Sequence, residues 1–232
     1  GVQVPPSAPG ILLFMARTAN ILLVNPWIYD FTAYDFWLKP MGLLYIAAIL
    51  EKHTSCRVDL VDCLDRGRIG PAVSRRSRSD GRGPYPKETV PKPEALKAVP
   101  RRFSRYGIPV PLFLQDLDAV PVPDLVLMTC TMTYWYPGVQ AAVDLVKRKF
   151  GNVPVVLGGI YPTLMPEHAE AQSGADRIVR GPGENAILPL VEEILGGGIC
   201  GRPEFNSLDD LPVPDYRLCR DRIWLPVLSS RG

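Results

Sequence analysis

Asn20-Ile21-Leu22-Leu23-Val24-Asn25, closed by Pro26, is the stretch that decides the fold. Four consecutive apolar residues with no polar alternation describe a strand covered on both faces, which is the habit of parallel sheets. Working outward, Leu43 to Lys52 has helical periodicity, with Pro40 and Gly42 at its entry. Arg57 to Asp62 reads as a second strand and Asp124 to Thr129 as a third, followed by a helix over Gly138 to Phe150. Val153 to Leu157 is the fourth strand and ends in Gly158-Gly159. Arg177 to Val179 is a short fifth, and Glu184 to Leu195 the closing helix. Alternating apolar strands and amphipathic helices predict right-handed βαβ crossovers. The expected fold is therefore α/β: a Rossmann-like or flavodoxin-like open parallel sheet, order 2-1-3-4-5, with helices on both faces. In such sheets ligands bind beyond the carboxyl ends of the strands.

The composition is that of an ordinary globular protein: 232 residues, 47% hydrophobic, net charge +2. So small a charge gives no ground to expect a nucleic-acid partner. The apolar run Ile11 to Met15 is too short to span a bilayer, so no membrane is expected. Residues 1–18 are expected to be an N-terminal extension, with Met15 as a candidate start. The five cysteines show no CxxC or His-paired spacing, so they suggest neither a metal site nor a disulfide framework. That usage points to a reducing, cytoplasmic setting.

The rhythm breaks between residues 66 and 117, where Arg75-Arg76-Ser77-Arg78, Pro91-Lys92-Pro93 and Arg101-Arg102 crowd into a long insertion after strand two. So long a loop is usually functional or disordered. The arginines suit either a solvated insertion or a lid and docking surface.

Chemistry is concentrated at the strand tips. Asn25 ends strand one. Asp62-Cys63-Leu64-Asp65-Arg66-Gly67 follows strand two, and Thr129-Cys130-Thr131 with Tyr134-Trp135-Tyr136 follows strand three. Gly158-Gly159-Ile160-Tyr161 follows strand four and Gly181-Pro182-Gly183-Glu184 strand five. A Gly-Gly pair removes Cβ atoms where a ligand must lie against backbone, although it can also simply turn the chain. Thr hydroxyls can cap a helix or bond a ligand. Neither GxGxxG after a strand nor a Walker sequence is present.

Taken in order, these loops resemble the N-terminal cobalamin-binding domain of B12-dependent radical S-adenosylmethionine (SAM) enzymes. Asp62-x-Leu64-x-x-Gly67 keeps the outer residues of that family's Asp-x-His-x-x-Gly motif. Thr129-Cys130-Thr131 stands where its Ser-x-Leu-type motif falls, and Gly158-Gly159 matches its Gly-Gly. The resemblance implies an extension over 1–18, a cobalamin-binding-like domain over 19–200, and a linker with a first strand over 201–232. That linker would lead to a radical SAM domain carrying a [4Fe–4S] cluster and S-adenosylmethionine. It also implies methyl transfer or related radical chemistry in the intact protein, on a small-molecule or macromolecular substrate that the sequence does not identify.

The implied cofactor-binding set is Asn25, Asp62, Leu64, Gly67, Thr129, Thr131, Tyr134, Trp135, Gly158, Gly159, Tyr161, Gly181, Gly183 and Glu184. Leu64 departs from the family pattern, because it stands where a histidine would ligate cobalt and has no lone pair. The resemblance then implies a form without a protein histidine ligand. His168 is expected at a surface or rim. No catalytic or metal-ligating residue is assigned. The alternatives are a degenerate Rossmann-like scaffold that docks a radical domain without the vitamin, and a flavodoxin-like flavin domain.

Overall fold

The structure is a computed structural model and describes residues 18–69, 78–196, 201, 203–220, 222 and 224–229. The extension expected over 1–18 lies almost wholly outside these residues, as do Arg75 and Arg76.

Strands β1 (Asn20–Asn25), β4 (Arg57–Asp62), β8 (Leu125–Cys130), β9 (Val155–Gly159) and β10 (Arg177–Ile178) form one sheet in the order β4-β1-β8-β9-β10. All its pairings are parallel. Counted in chain order, these five strands run 2-1-3-4-5, as expected.

Side chains alternate between two cores with the period of two that a pleated strand imposes. Leu22, Val24, Val126, Met128, Val155 and Leu157 point to one face, which α2 (Val110–Ala119) and α3 (Tyr136–Phe150) cover. Ile21, Leu23, Leu125, Leu127 and Val156 point to the other, beneath α1 (Met41–His53) and α6 (Ile187–Leu195). Phe113, Leu117 and Leu44 are among the fully buried side chains. Each is worth about 1.5–3 kcal/mol of apolar burial.

The helices start and stop for local reasons. Pro111 in α2 and Pro137 in α3 sit in first turns, where a missing N–H costs nothing. Lys147, Arg148 and Lys149 close α3 at its negative dipole end. Gly196 ends α6 in the left-handed conformation, its N–H bonded to the Glu192 carbonyl. The closing helix begins at Ile187 rather than Glu184, because residues 184–186 form a turn in which the Ala186 and Ile187 N–H groups both donate to the Gly183 carbonyl.

The insertion after β4 is where the structure departs most from expectation. Its last part is not loop: Val110–Ala119 is the crossover helix α2 that leads to β8. Residues 78–108, with the segment after β1, build a cap. Strands β2 (Ile28–Asp30), β7 (Ser104–Tyr106) and β6 (Lys87–Thr89) form an antiparallel sheet, and β3 (Tyr34–Asp35) pairs with β5 (Gly83–Pro84).

The cap sits on the tips of β1 and β4. Trp27 donates its indole N–H to the Ile108 carbonyl at 2.6 Å, and Ile28, Leu64, Tyr85 and Tyr106 share a small buried cluster. Arg66 is not solvated. Its guanidinium meets Asp35 at 3.0 Å, with the two side chains only 8% and 10% exposed, and also donates to the Gly81 carbonyl at 2.8 Å.

Residues 203–220 wrap the helix α1 side of the sheet. The Asn185 side chain brackets Phe205, accepting from its N–H and donating to its carbonyl. The Asp215 N–H donates to the Leu44 carbonyl, and Arg220 reaches Asp116 on α2 at 2.9 Å. The strand expected over Pro226 to Leu228 is not formed, since residues 224–229 carry no regular structure. Trp224 packs edge-on against Trp37, and Val227 is exposed.

Candidate functional site

A cavity of about 410 Å³ opens beside the carboxyl ends of β8 and β9, between the sheet, α1 and α6. That is the end of an open α/β sheet at which ligands are received, and the size suits a small-molecule site. Its walls follow from strand alternation. Thr129 and Gly158 face it at the tips, and Leu127 and Val156, two residues earlier, face it deeper down. Helix α1 contributes Leu43 and Ile46, and α6 contributes Ile187 and Leu190.

Glycines shape the space in two different ways. Gly159 has φ +100, and a Cβ there would lie 2.7 Å from the Cys130 carbonyl oxygen. The fold itself requires that glycine. Gly158 is different, because its φ is ordinary and a Cβ would meet nothing within 4 Å. Gly42, in the first turn of α1 and also on the cavity wall, is equally unobstructed. Glycine inside a helix or strand costs roughly 0.5–1 kcal/mol relative to alanine. At these two positions the fold gains nothing in return, and the benefit goes to the open space of the cavity.

One polar device organises the mouth. The Thr163 hydroxyl, on α4 (Ile160–Leu164), donates to the Gly159 carbonyl at 2.7 Å and accepts from the Gly181 N–H at 2.8 Å. It thereby ties the loop after β9 to the loop after β10. The loops after β8 and β9 also leave Met132, Tyr134, Ile160, Leu164 and Met165 exposed.

The residues expected at the site divide into three groups. Thr129, Gly158, Gly159, Gly181, Gly183 and Glu184 do line the cavity. Asn25, Asp62, Leu64 and Gly67 lie together at the tips of β1 and β4, under the cap. There Asp62 Oδ1 accepts from the Asn25 amide at 2.7 Å and from the Leu64 N–H at 2.9 Å, and Gly67 donates its N–H to Asp65. Burial pushes the Asp62 carboxyl up to about 6, against the opposing pull of those hydrogen bonds.

Thr131, Tyr134 and Trp135 follow β8 outside the cavity. Tyr134 is 52% exposed, and Trp135 donates to Asp30 Oδ2 at 3.1 Å. Tyr161, expected as a wall of the site, is a core residue. It is fully buried on the opposite face of the sheet, and its hydroxyl lies 2.7 Å from His168 Nδ1. His168 is half-buried and packs against Tyr161 and Tyr136. Among the described residues no group of three or more His, Cys, Asp or Glu side chains could hold a metal ion. Among them, too, no helix is long and apolar enough to cross a membrane.

Sequence reasoning missed Gly42, Leu43, Ile46, Leu127, Val156, Thr163, Ile187 and Leu190. Stepping back by two from Thr129 and Gly158 would have found Leu127 and Val156. The helix residues carry no signal that separates a cavity wall from an ordinary core face.

Residues 113–191 match the sequence model of the family described as B12 binding domain. That stretch runs from α2 through β8 and β9 into α6. No curated protein matches the chain. Among solved structures, the radical S-adenosylmethionine methyltransferase TsrM from Kitasatospora setae, with tryptophan and a SAM analogue bound, has a TM-score of 0.49 at 19% identity. The match covers 78% of this chain and 26% of that one. The same enzyme with cobalamin and a [4Fe–4S] cluster bound scores 0.48 at 19% identity, over 78% and 25% of the two chains. Apo OxsB, a cobalamin-dependent S-adenosylmethionine radical enzyme, scores 0.46 at 12% identity, over 87% and 25%. The present chain thus spans about a quarter of the length of these solved chains.

Proposed function

We propose that this chain is a cobalamin-binding module, with the nucleotide tail of the vitamin in the cavity beside β8 and β9 and the corrin over the strand tips. The observation that carries the reading is Gly158, a strand glycine whose missing Cβ leaves cavity space and relieves no clash. The family match over 113–191 covers the same strand and both neighbouring loops. The residues present fit such a group: Gly42 and Gly158 hold the space open, and Leu43, Ile46, Leu127 and Val156 keep water from it. Thr129 and Glu184 supply polar atoms on the cavity wall, and the exposed Tyr134 after β8 stands where the corrin would rest, whereas Asn25 lies buried under the cap.

When bound, cobalamin supplies a cobalt centre able to carry a methyl group. The chain contributes no nitrogen ligand to it from the second strand loop, because Leu64 is a hydrocarbon packed with Ile28, Tyr85 and Tyr106 under the cap. Asn25 and Asp62 hold that loop's backbone in place. By the resemblance set out above, the intact protein is proposed to be a radical SAM enzyme, methyltransferase-like and cytoplasmic. Its [4Fe–4S] cluster and S-adenosylmethionine would lie in a domain joined through the linker over 201–232, with the catalytic step there and not in this module.

Titration of the protein with hydroxocobalamin tests the reading. Saturable one-to-one binding heat with a shifted corrin absorption spectrum is expected. Neither signal at saturating vitamin would overturn it and leave the scaffold reading.

A further inference from the structure

The net charge of +2 hides a division within the chain. Residues 78–108 carry eight Lys and Arg against three Asp and Glu, while the remaining residues are acidic in balance. These cations belong to the cap, where Arg78, Lys87, Arg101 and Arg102 are exposed. Arg101 lies over the Phe31 ring, 6.0 Å from its centroid. A positive surface of this kind attracts polyanions.

Aromatic rings are displayed among the cations. Tyr34 and Phe36 flank the buried Asp35, so the strand alternation turns both of them outward. They are 37% and 64% exposed, with ring centroids 4.8 Å apart. Together with Arg78 and Arg82 they wall a recess of about 210 Å³. That is smaller than a drug-sized pocket and suits one flat ring. Trp37 beside them carries φ +68, a conformation that bulky side chains avoid. Its indole N–H donates to the Asp80 carbonyl at 2.7 Å, and the Arg82 guanidinium lies over its ring at 4.8 Å. Arg82 also gives Nε and Nη2 to Asp80, which fixes the plane of that guanidinium. Backbone strain of this sort clusters at ligand clamps. Here it sets the turn over residues 78–82, with its two arginines, against the aromatic segment.

We propose that this face of the cap binds single-stranded nucleic acid, with a base stacked against Tyr34 and Phe36 and its phosphates on Arg78 and Arg82. The flanking strand would run over the other exposed cations. Aromatic faces interleaved with guanidinium groups suit such strands, since every base has a π-face and every link a negative charge. A duplex would offer no open base for the recess to take. An acidic peptide would meet the cations and leave the rings unused. A lipid surface would call for apolar groups that protrude rather than wall a recess. The inference is independent of what fills the cavity beside β8 and β9.

The test is fluorescence anisotropy of a short labelled oligouridylate, titrated with the full chain at several salt concentrations. Phe36→Ala, Phe36→Leu and Arg78→Ala are measured beside it, with thermal unfolding to check that each is folded. Saturable binding that weakens with salt is expected. Both Phe36 variants should bind roughly fivefold more weakly or worse, and Arg78→Ala should lower the salt slope by about one. No binding even at low salt would overturn the proposal. Unaltered affinity in the Phe36 variants, or equally tight binding of poly-glutamate, would do the same, because charge alone would then account for the signal. Displacement by uridine monophosphate at matching concentration would overturn the strand and leave a mononucleotide site. Binding of phosphatidylserine vesicles in place of the oligonucleotide would overturn it in favour of a lipid surface.

Discussion

The Asn25 side-chain amide donates to Asp62 Oδ1 at 2.7 Å, joining the last residues of two adjacent parallel strands. Asp62 carries a carboxyl raised to about 6 by burial, above its ordinary value of 3.8. Below pH 4 it is protonated whether folded or unfolded. Between 4 and 6 only the unfolded chain ionises freely, so stability falls as pH rises through that window and is flat above it. Asp62→Asn keeps an acceptor for Asn25 and for the Leu64 N–H. It should stabilise the protein at pH 7 by on the order of 2 kcal/mol and flatten the profile between pH 4 and 6. Thermal unfolding across that range checks both, and an unchanged slope would refute the assignment.

Gly159 should behave as a folding residue. Gly159→Ala places a Cβ 2.7 Å from the Cys130 carbonyl oxygen at φ +100. The expected loss is about 1–3 kcal/mol from backbone strain, read as a lower midpoint in urea.

Arg66 and Asp35 pin the cap. Arg66→Ala leaves Asp35 buried without its cation, which should cost about 3–5 kcal/mol. Limited proteolysis should then cut within residues 78–108. The double change Arg66→Met with Asp35→Leu should recover much of the loss, since it leaves no buried charge.

Tyr161→Phe removes a buried hydroxyl from His168 Nδ1. A destabilisation of about 1 kcal/mol is expected, with cobalamin affinity unchanged, because Tyr161 lies on the sheet face away from the cavity. A tenfold loss of affinity would restore Tyr161 to the site.

The sheet was legible because its signals are local. The apolar run Asn20 to Asn25 carries its own burial, and the alternation of Val58, Leu60 and Val61 with charges marks Arg57 to Asp62 as a half-buried edge strand. The cap was not legible, because strands of two or three residues such as Gly83–Pro84 lack any period and depend on distant partners. Helix α2 was hidden for a related reason: Pro109 and Pro111 flank its first residue and read as loop. Arg66 illustrates the limit for charge, since only the fold could bring Asp35 beside it. Of the strand-tip residues read from sequence, Thr129, Gly158 and Gly159 line the cavity, whereas Tyr161, named as a candidate wall, packs into the core, because it lies on the helix Ile160–Leu164 and not on the strand.

The most direct test of the central claim is cobalamin affinity in Gly158→Leu set against the unmodified protein, with thermal unfolding measured on both. The added Cβ would meet no heavy atom within 4 Å and would point into the cavity that Gly158 lines. The unfolding midpoint should stay within a few degrees of the parent, with hydroxocobalamin affinity at least tenfold weaker. Unaltered affinity in a folded Gly158→Leu protein would contradict it.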